Sequence, residues 1–486
     1  MKKLFSYYTH LGFHNPYFLY GKKPFIIDRN FSSILSKSNN DKVIDPVSII
    51  ELLNKGYIFG DRSLIKEIHR TPWYAEPNET YTEWKYATPP KHGHRNIIEE
   101  EIAITLFEKI CVEIKGYIGD KKKIGVLLSG GMDSRMVAGA IDYLQKTGNL
   151  KVDEVTGLTW GNEGTRDVIY AKEITRRLGW KWKHYIVGAK ELLQNIEKTA
   201  YNGCEYSPIH LHAIPQICDD NELDLILAGS YGDSVGRAEY SGRKVTKLLP
   251  INNKIMNVLG LINVEIYQKY QKYIKEDIMK YHFLFPTKAI YMQNEMDYEL
   301  HYMRRMLNPC MELLTERSEF YQVFTSPDIF GYMWSITPSR RTDLVYKHML
   351  KEFKTDLSDI PWSRTGLPYG QKEGIPDSFI KNHHSYAEII HHDIFKEIKE
   401  MILSGYLKKL NIFNMPVIVK LLKLCETYPL KDLRYAEIII WLASVAKMVE
   451  KYEILGVENV SVSSHSTFSL LTNYFLRALK EKIQYR

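Results

Sequence analysis

The 486-residue chain has few of the features that assign a protein to a class at a glance. Its five cysteines (Cys111, Cys204, Cys218, Cys310 and Cys425) are far apart, odd in number and form no CxxC pair. That excludes a zinc ribbon and a disulfide framework, and they read as buried thiols in a reducing compartment. Charge is nearly balanced: 65 Lys and Arg against 58 Asp and Glu give +7. Over this length the bias is too mild for a nucleic-acid groove, though compatible with anionic substrates. The longest apolar block, residues 438–446, is too short to span a bilayer. The start, Met1-Lys2-Lys3-Leu4-Phe5, lacks the apolar core and cleavage site of a signal peptide. No internal repeat or low-complexity tract is present. The expectation is a soluble, cytoplasmic protein with neither a membrane nor a nucleic acid as partner.

What is abundant is core-forming material. Hydrophobic residues make up 44% of the chain, with 34 Tyr, 18 Phe and 8 Trp, enough for two or three domains. The most informative stretch is Ile124-Gly-Val-Leu-Leu-Ser-Gly-Gly-Met-Asp-Ser-Arg135. An apolar run over 124–128 predicts a parallel strand covered on both faces. A tight turn follows over 129–134, with a helix expected from about Arg135. Adjacent glycines expose backbone N–H groups, and the helix N-terminus adds partial positive charge, so the pattern predicts an anion cradle. The GxxxxGK[ST] phosphate loop is excluded, because no lysine follows the glycines.

Around this turn the pattern is α/β. A helix is expected over about 97–117, strands over 152–160, 182–187 and 223–228, and a helix over 167–178 stopped by Gly179. Strands alternating with helices predict a parallel doubly wound sheet, whose ligands sit at the carboxyl ends of its strands. The fourth strand runs into a second glycine-rich turn, Gly229-Ser-Tyr-Gly-Asp-Ser-Val-Gly-Arg237. Residues before 95 read as small strands and turns, and those after about 250 as mostly helical.

The Ser129-Gly-Gly-x-Asp-Ser134 turn resembles the pyrophosphate-binding loop of the PP-loop ATP pyrophosphatases, and the wider pattern resembles the asparagine synthetase family. The resemblance extends to Thr159-Trp-Gly-Asn-Glu-Gly-Thr-Arg-Asp167, to the 229–237 turn and, loosely, to 57–70 and 324–370. It implies an adenine nucleotide α-hydrolase-like fold divided at 1–95, 96–370 and 371–486. These would be a degenerate glutaminase-like α+β domain, the ATP pyrophosphatase domain and a helical C-terminal extension.

The resemblance also implies ATP and Mg²⁺ as cofactors. Leu127, Ser129, Gly130, Gly131, Asp133, Ser134, Thr159 and Gly232 would contact the nucleotide. Asp133 and Asp233 would hold the metal and serve catalysis, and Arg364 would supply the cation that the family takes from a lysine. The implied reaction adenylates a small-molecule, peptide or glycan carboxylate, releases pyrophosphate, and joins the acyl group to ammonia or an amine. Three departures stand out. No cysteine follows Met1 to act as a glutaminase nucleophile, Ser234 stands where the family has Glu, and Arg237 stands where it has Gly. A non-catalytic nucleotide-binding or scaffolding protein and a PP-loop RNA-modifying enzyme remain the alternatives.

Overall fold

The computed structural model describes residues 15–220, 222–240, 242–253, 256–458 and 468–484; Met1-Lys2-Lys3 lie outside them. At its centre is a five-stranded sheet of β1 (Lys123–Leu127), β2 (Glu154–Trp160), β3 (Lys181–Tyr185), β4 (Leu225–Ala228) and β5 (Glu319–Gln322). The order is β5-β4-β1-β2-β3, and every pairing is parallel. The chain steps outward from β1 through β2 to β3, then returns to place β4 on the other side of β1. The strand order therefore reverses between β1 and β4, where open α/β sheets form a ligand crevice. The register aligns Leu127 with Leu158 on one side and Ala228 on the other, so the turns after β1, β2 and β4 emerge side by side.

Burial accounts for the strands. Every residue of β4 is buried, as are Ile124, Val126 and Leu127 of β1, and each large aliphatic side chain contributes about 1.5–3 kcal/mol. Helix α1 (Glu99–Ile118) covers the sheet with Ile102, Leu106, Ile110 and Ile114. Helix α2 (Met132–Lys146) leaves β1 with Gly131 as its N-cap. It begins three residues before the position expected from sequence, so Asp133 and Ser134 belong to its first turn. Helix α3 (Arg166–Leu178) ends at Gly179, whose φ of 71° is left-handed. Strand β5 has no counterpart among the sequence-based expectations; it adds an edge beside β4.

The flanking regions share one hydrophobic cluster with the sheet domain. Residues 15–95 carry strands of two or three residues, paired antiparallel in a three-stranded and a two-stranded sheet. Near the other end, helix α4 (Leu433–Tyr452) supplies the largest apolar surface of the C-terminal part, with Ile439, Ile440, Leu442, Val445 and Met448 buried. Residues 371–385, placed by sequence at the head of that part, are laid across the sheet domain instead. Ile380 bridges Thr165 in parallel, and Asn162 N–H donates to the His383 carbonyl at 2.7 Å. Among the described residues, no helix is long and apolar enough to cross a membrane.

Candidate functional site

The turn after β1 closes on its own hydroxyls. Gly131 N–H donates to Ser129 Oγ at 3.1 Å, and Ser129 N–H to Ser134 Oγ at 3.3 Å. Gly131 offers no side-chain cap to the N-terminus of α2. Gly130 N–H donates to Asp167 Oδ1 at 3.1 Å. Asp167 therefore links the loop to the start of α3, a role its sequence context, that of a helix-start carboxylate, does not reveal.

The second glycine turn is pressed against the first. It leads into a six-residue helix, α5 (Gly232–Arg237). A Cβ at Gly232 would lie 2.6 Å from Asp133 Cβ, and one at Gly229 would lie 2.5 Å from the Asp133 carbonyl. The approach requires glycine at both positions. Tyr346 fixes the turn from behind, its hydroxyl donating to the Gly232 carbonyl at 2.8 Å. The result brings Asp133 and Asp233 close enough for their charges to interact. Burial, then the nearby Asp133 charge, pushes the Asp233 carboxyl up to about 7. Asp133 is also raised by burial, against the pull of Arg237.

Arg237 explains one departure from the family pattern. Its buried guanidinium lies 3.7 Å from Asp133 Oδ1 and donates to Glu239 Oε2 at 2.9 Å and to Asp343 Oδ1 at 3.2 Å. Arg364 reaches the same network from outside, Nη1 donating to Glu239 Oε1 at 3.3 Å. Glu239 thus holds two arginines beside the paired aspartates. Arg135, fully buried, fixes the loop that carries Arg364. Its guanidinium donates to the carbonyls of Leu357, Ile360, Pro361 and Gly130 at 3.2, 2.7, 2.9 and 3.3 Å.

Two cavities open along this edge. One, of about 310 Å³, is walled by Leu127, Ser129, Gly131, Asp133 and Ser134 of the first turn, with Trp160, Asp167, His212 and His383 opposite. The other, of about 620 Å³, is bordered by Ser363, Arg364, Lys381, His384, Tyr386 and Glu388. Asp167 and His383 belong to both walls, with His383 Nδ1 3.8 Å from Asp167 Oδ2. Of the residues expected at a nucleotide, Gly130, Thr159 and Gly232 stand behind the smaller cavity. Thr159 is turned inward: its hydroxyl donates to the Leu128 carbonyl at 2.9 Å and accepts from Trp182 Nε1 at 3.2 Å. The hydroxyl is already engaged on both sides, so it steadies the loop and Trp160 takes the cavity-facing place.

The residues fit Mg·ATP. An uncapped helix N-terminus and Ser129 and Ser134 suit phosphate oxygens. Asp133 Oδ1, buried and without a hydrogen-bond partner, suits a hard cation. Among the described residues, no group of three or more His, Cys, Asp or Glu is placed to hold a metal. A cation at the aspartate pair would therefore take its remaining oxygens from phosphate or water, as Mg²⁺ commonly does.

His212 is the least expected member of the wall. Its φ of 47° and ψ of −127° lie in a region that costs a non-glycine residue about 1–3 kcal/mol. The cysteines, by contrast, lie outside both cavities. All five are buried and none is in a disulfide, and Cys204 Sγ donates to Ser444 Oγ of α4 at 3.7 Å.

The asparagine synthase family model matches residues 118–253, which run from the end of α1 past α5. None of the curated proteins matches the chain. Among solved structures it is similar to the U34-tRNA thiolase NcsA from Methanococcus maripaludis with its [4Fe-4S] cluster, at 13% identity. That alignment covers 79% of this chain and 96% of the other, with a TM-score of 0.26, a likeness too slight to bear on chemistry.

Proposed function

We propose that this chain, whose residues 118–253 match the asparagine synthase family model, uses ATP and is an AMP-forming amide ligase. The observation that carries the reading is the stacking of two glycine turns at the strand-order reversal. It sets Asp133 and Asp233 beside the open N-terminus of α2, with a second, larger cavity next door. The smaller cavity takes the nucleotide phosphates and the larger takes the acceptor carboxylate. Amides of the first turn and the hydroxyls of Ser129 and Ser134 hold the β- and γ-phosphates in line for departure. Arg364 stands on the acceptor side, where charge moves onto the α-phosphate. A Mg²⁺ on Asp133 and Asp233 would neutralise the leaving pyrophosphate when bound. An amine or ammonia then takes up the acyl group.

Incubation with α-³²P-labelled ATP, Mg²⁺ and pools of carboxylic acids tests the reading. The expected products are AMP and equimolar pyrophosphate, abolished in Asp133→Ala. Labelled ADP in place of AMP would exclude attack at the α-phosphate. Tight ATP binding without turnover in any pool would favour a scaffolding role.

A further inference from the structure

His212 combines four properties that no part of the proposed nucleotide site requires. It lines the smaller cavity together with Ser129, Asp133 and His383. Its backbone is held in a region where glycine is the comfortable residue, yet an imidazole is present. Its ring is fixed from two sides: stacked on Trp160 with centroids 5.5 Å apart, and hydrogen-bonded through Nδ1 to the Tyr386 hydroxyl at 3.0 Å. Nε2 has no hydrogen-bond partner among the described residues. The rings around it belong to Trp160, Tyr386, His383 and His384, and the wall carboxylate Asp167 faces His383. With no carboxylate to favour the imidazolium, burial and the neighbouring histidines keep the ring neutral.

We infer that His212 is a catalytic residue of the proposed ligation, accepting through Nε2 the proton released when the amine attacks the acyl-adenylate. The inference rests on the ligase reading. In the step, the amine lone pair forms the C–N bond and the acyl C–O bond to the α-phosphate breaks. Its electron pair leaves on AMP, and the N–H proton passes to Nε2 and then to solvent. Nδ1–H donates to the Tyr386 oxygen in this tautomer, so Tyr386 is a positioning residue.

The full-length protein is assayed with Mg·ATP, pooled carboxylic acids and ammonia. ATP–pyrophosphate exchange reports adenylation, and amide with AMP reports the second step. His212→Gln and His212→Asn are expected to retain exchange and to form amide about 10²-fold or more slowly. Tyr386→Phe, with its ring intact, should retain exchange and show a smaller loss. Ring ¹⁵N shifts, assigned by their disappearance in His212→Gln, should show a neutral ring protonated at Nδ1 at pH 7. A cationic ring, or one protonated at Nε2, overturns the inference, as does undiminished amide formation. An equal fall of exchange and amide formation in both His212 variants would mark a purely structural residue. Absence of exchange in the wild type would overturn the ligase reading, a result distinct from exchange with unimpaired aminolysis.

Discussion

Arg237 and Asp133 stand 3.7 Å apart, Nη2 to Oδ1, at the seam between the two glycine turns. The guanidinium is an internal counter-charge to a carboxylate that burial would otherwise neutralise. It is also the residue by which this turn departs most clearly from the family pattern. Removing it leaves Asp133, Glu239 and Asp343 facing one another. Arg237→Met is expected to destabilise the fold by about 3–5 kcal/mol, the range for stripping one partner from a buried ion pair. Urea unfolding measures this, and a loss below about 1 kcal/mol would mean that the network is effectively solvated.

Close approach at the same seam ranks three glycine substitutions. Alanine at Gly232 would set its Cβ 2.6 Å from Asp133 Cβ, whereas alanine at Gly131 meets only Ser129 Oγ at 2.9 Å. A hydroxyl can rotate away; the first turn of α2 cannot. Gly232→Ala and Gly229→Ala should cost about 1–3 kcal/mol as overpacking and weaken Mg·ATP binding in calorimetry. Gly131→Ala should be milder in stability, and equal losses for all three would contradict the ranking.

Glu299 supplies a pH signature. It is buried, and its carboxyl accepts from the Tyr240 hydroxyl. Burial pushes its carboxyl up to about 8. Above the unfolded value the folded state holds a proton that the unfolded state has released, so stability falls as pH rises toward 8. The slope for one such group is about 1.4 kcal/mol per pH unit at most. Glu299→Gln should flatten the decline of stability from pH 5 to 8 and raise stability at pH 8. An unchanged slope would show that the carboxylate is ionised in the fold.

Arg135 ties the 357–361 segment to the first glycine turn through four carbonyls. Arg135→Leu leaves the Leu357, Ile360 and Pro361 carbonyls without their donor, at about 1–3 kcal/mol each where water cannot reach them. The loop carrying Arg364 should then exchange its amide hydrogens faster, with Ser363 N–H, which donates to the Gly130 carbonyl at 3.2 Å, as the reporter. Unchanged protection at Ser363 would assign the loop's order to other contacts.

The sheet and the first turn were legible because their signals are local. Ile124 to Leu128 is an apolar run and the Ser129–Ser134 turn follows without interruption. The start of α2 was placed late because Gly131 caps it without a side chain to announce the cap. Strand β5 is Glu-Phe-Tyr-Gln, four residues that acquire a partner only when β4 is beside them. The hydroxyl of Thr159 is engaged by Trp182 and Leu128, partners that position along a strand does not reveal. His212 carried no motif at all. Its place is set by a backbone twist and by Tyr386, far along the chain, neither of which leaves a periodic trace.

The pairing of Ile380 with Thr165 also has a consequence for synthesis. Both glycine turns, the aspartate pair and all five strands of the sheet lie before residue 323, and the segment that walls off the larger cavity follows them off the ribosome. A nascent chain halted between these points has both glycine turns encoded in full, while residues 380–388 of the larger cavity and His383 of the smaller one are still to come. Completion of both cavity walls is therefore a late event in synthesis.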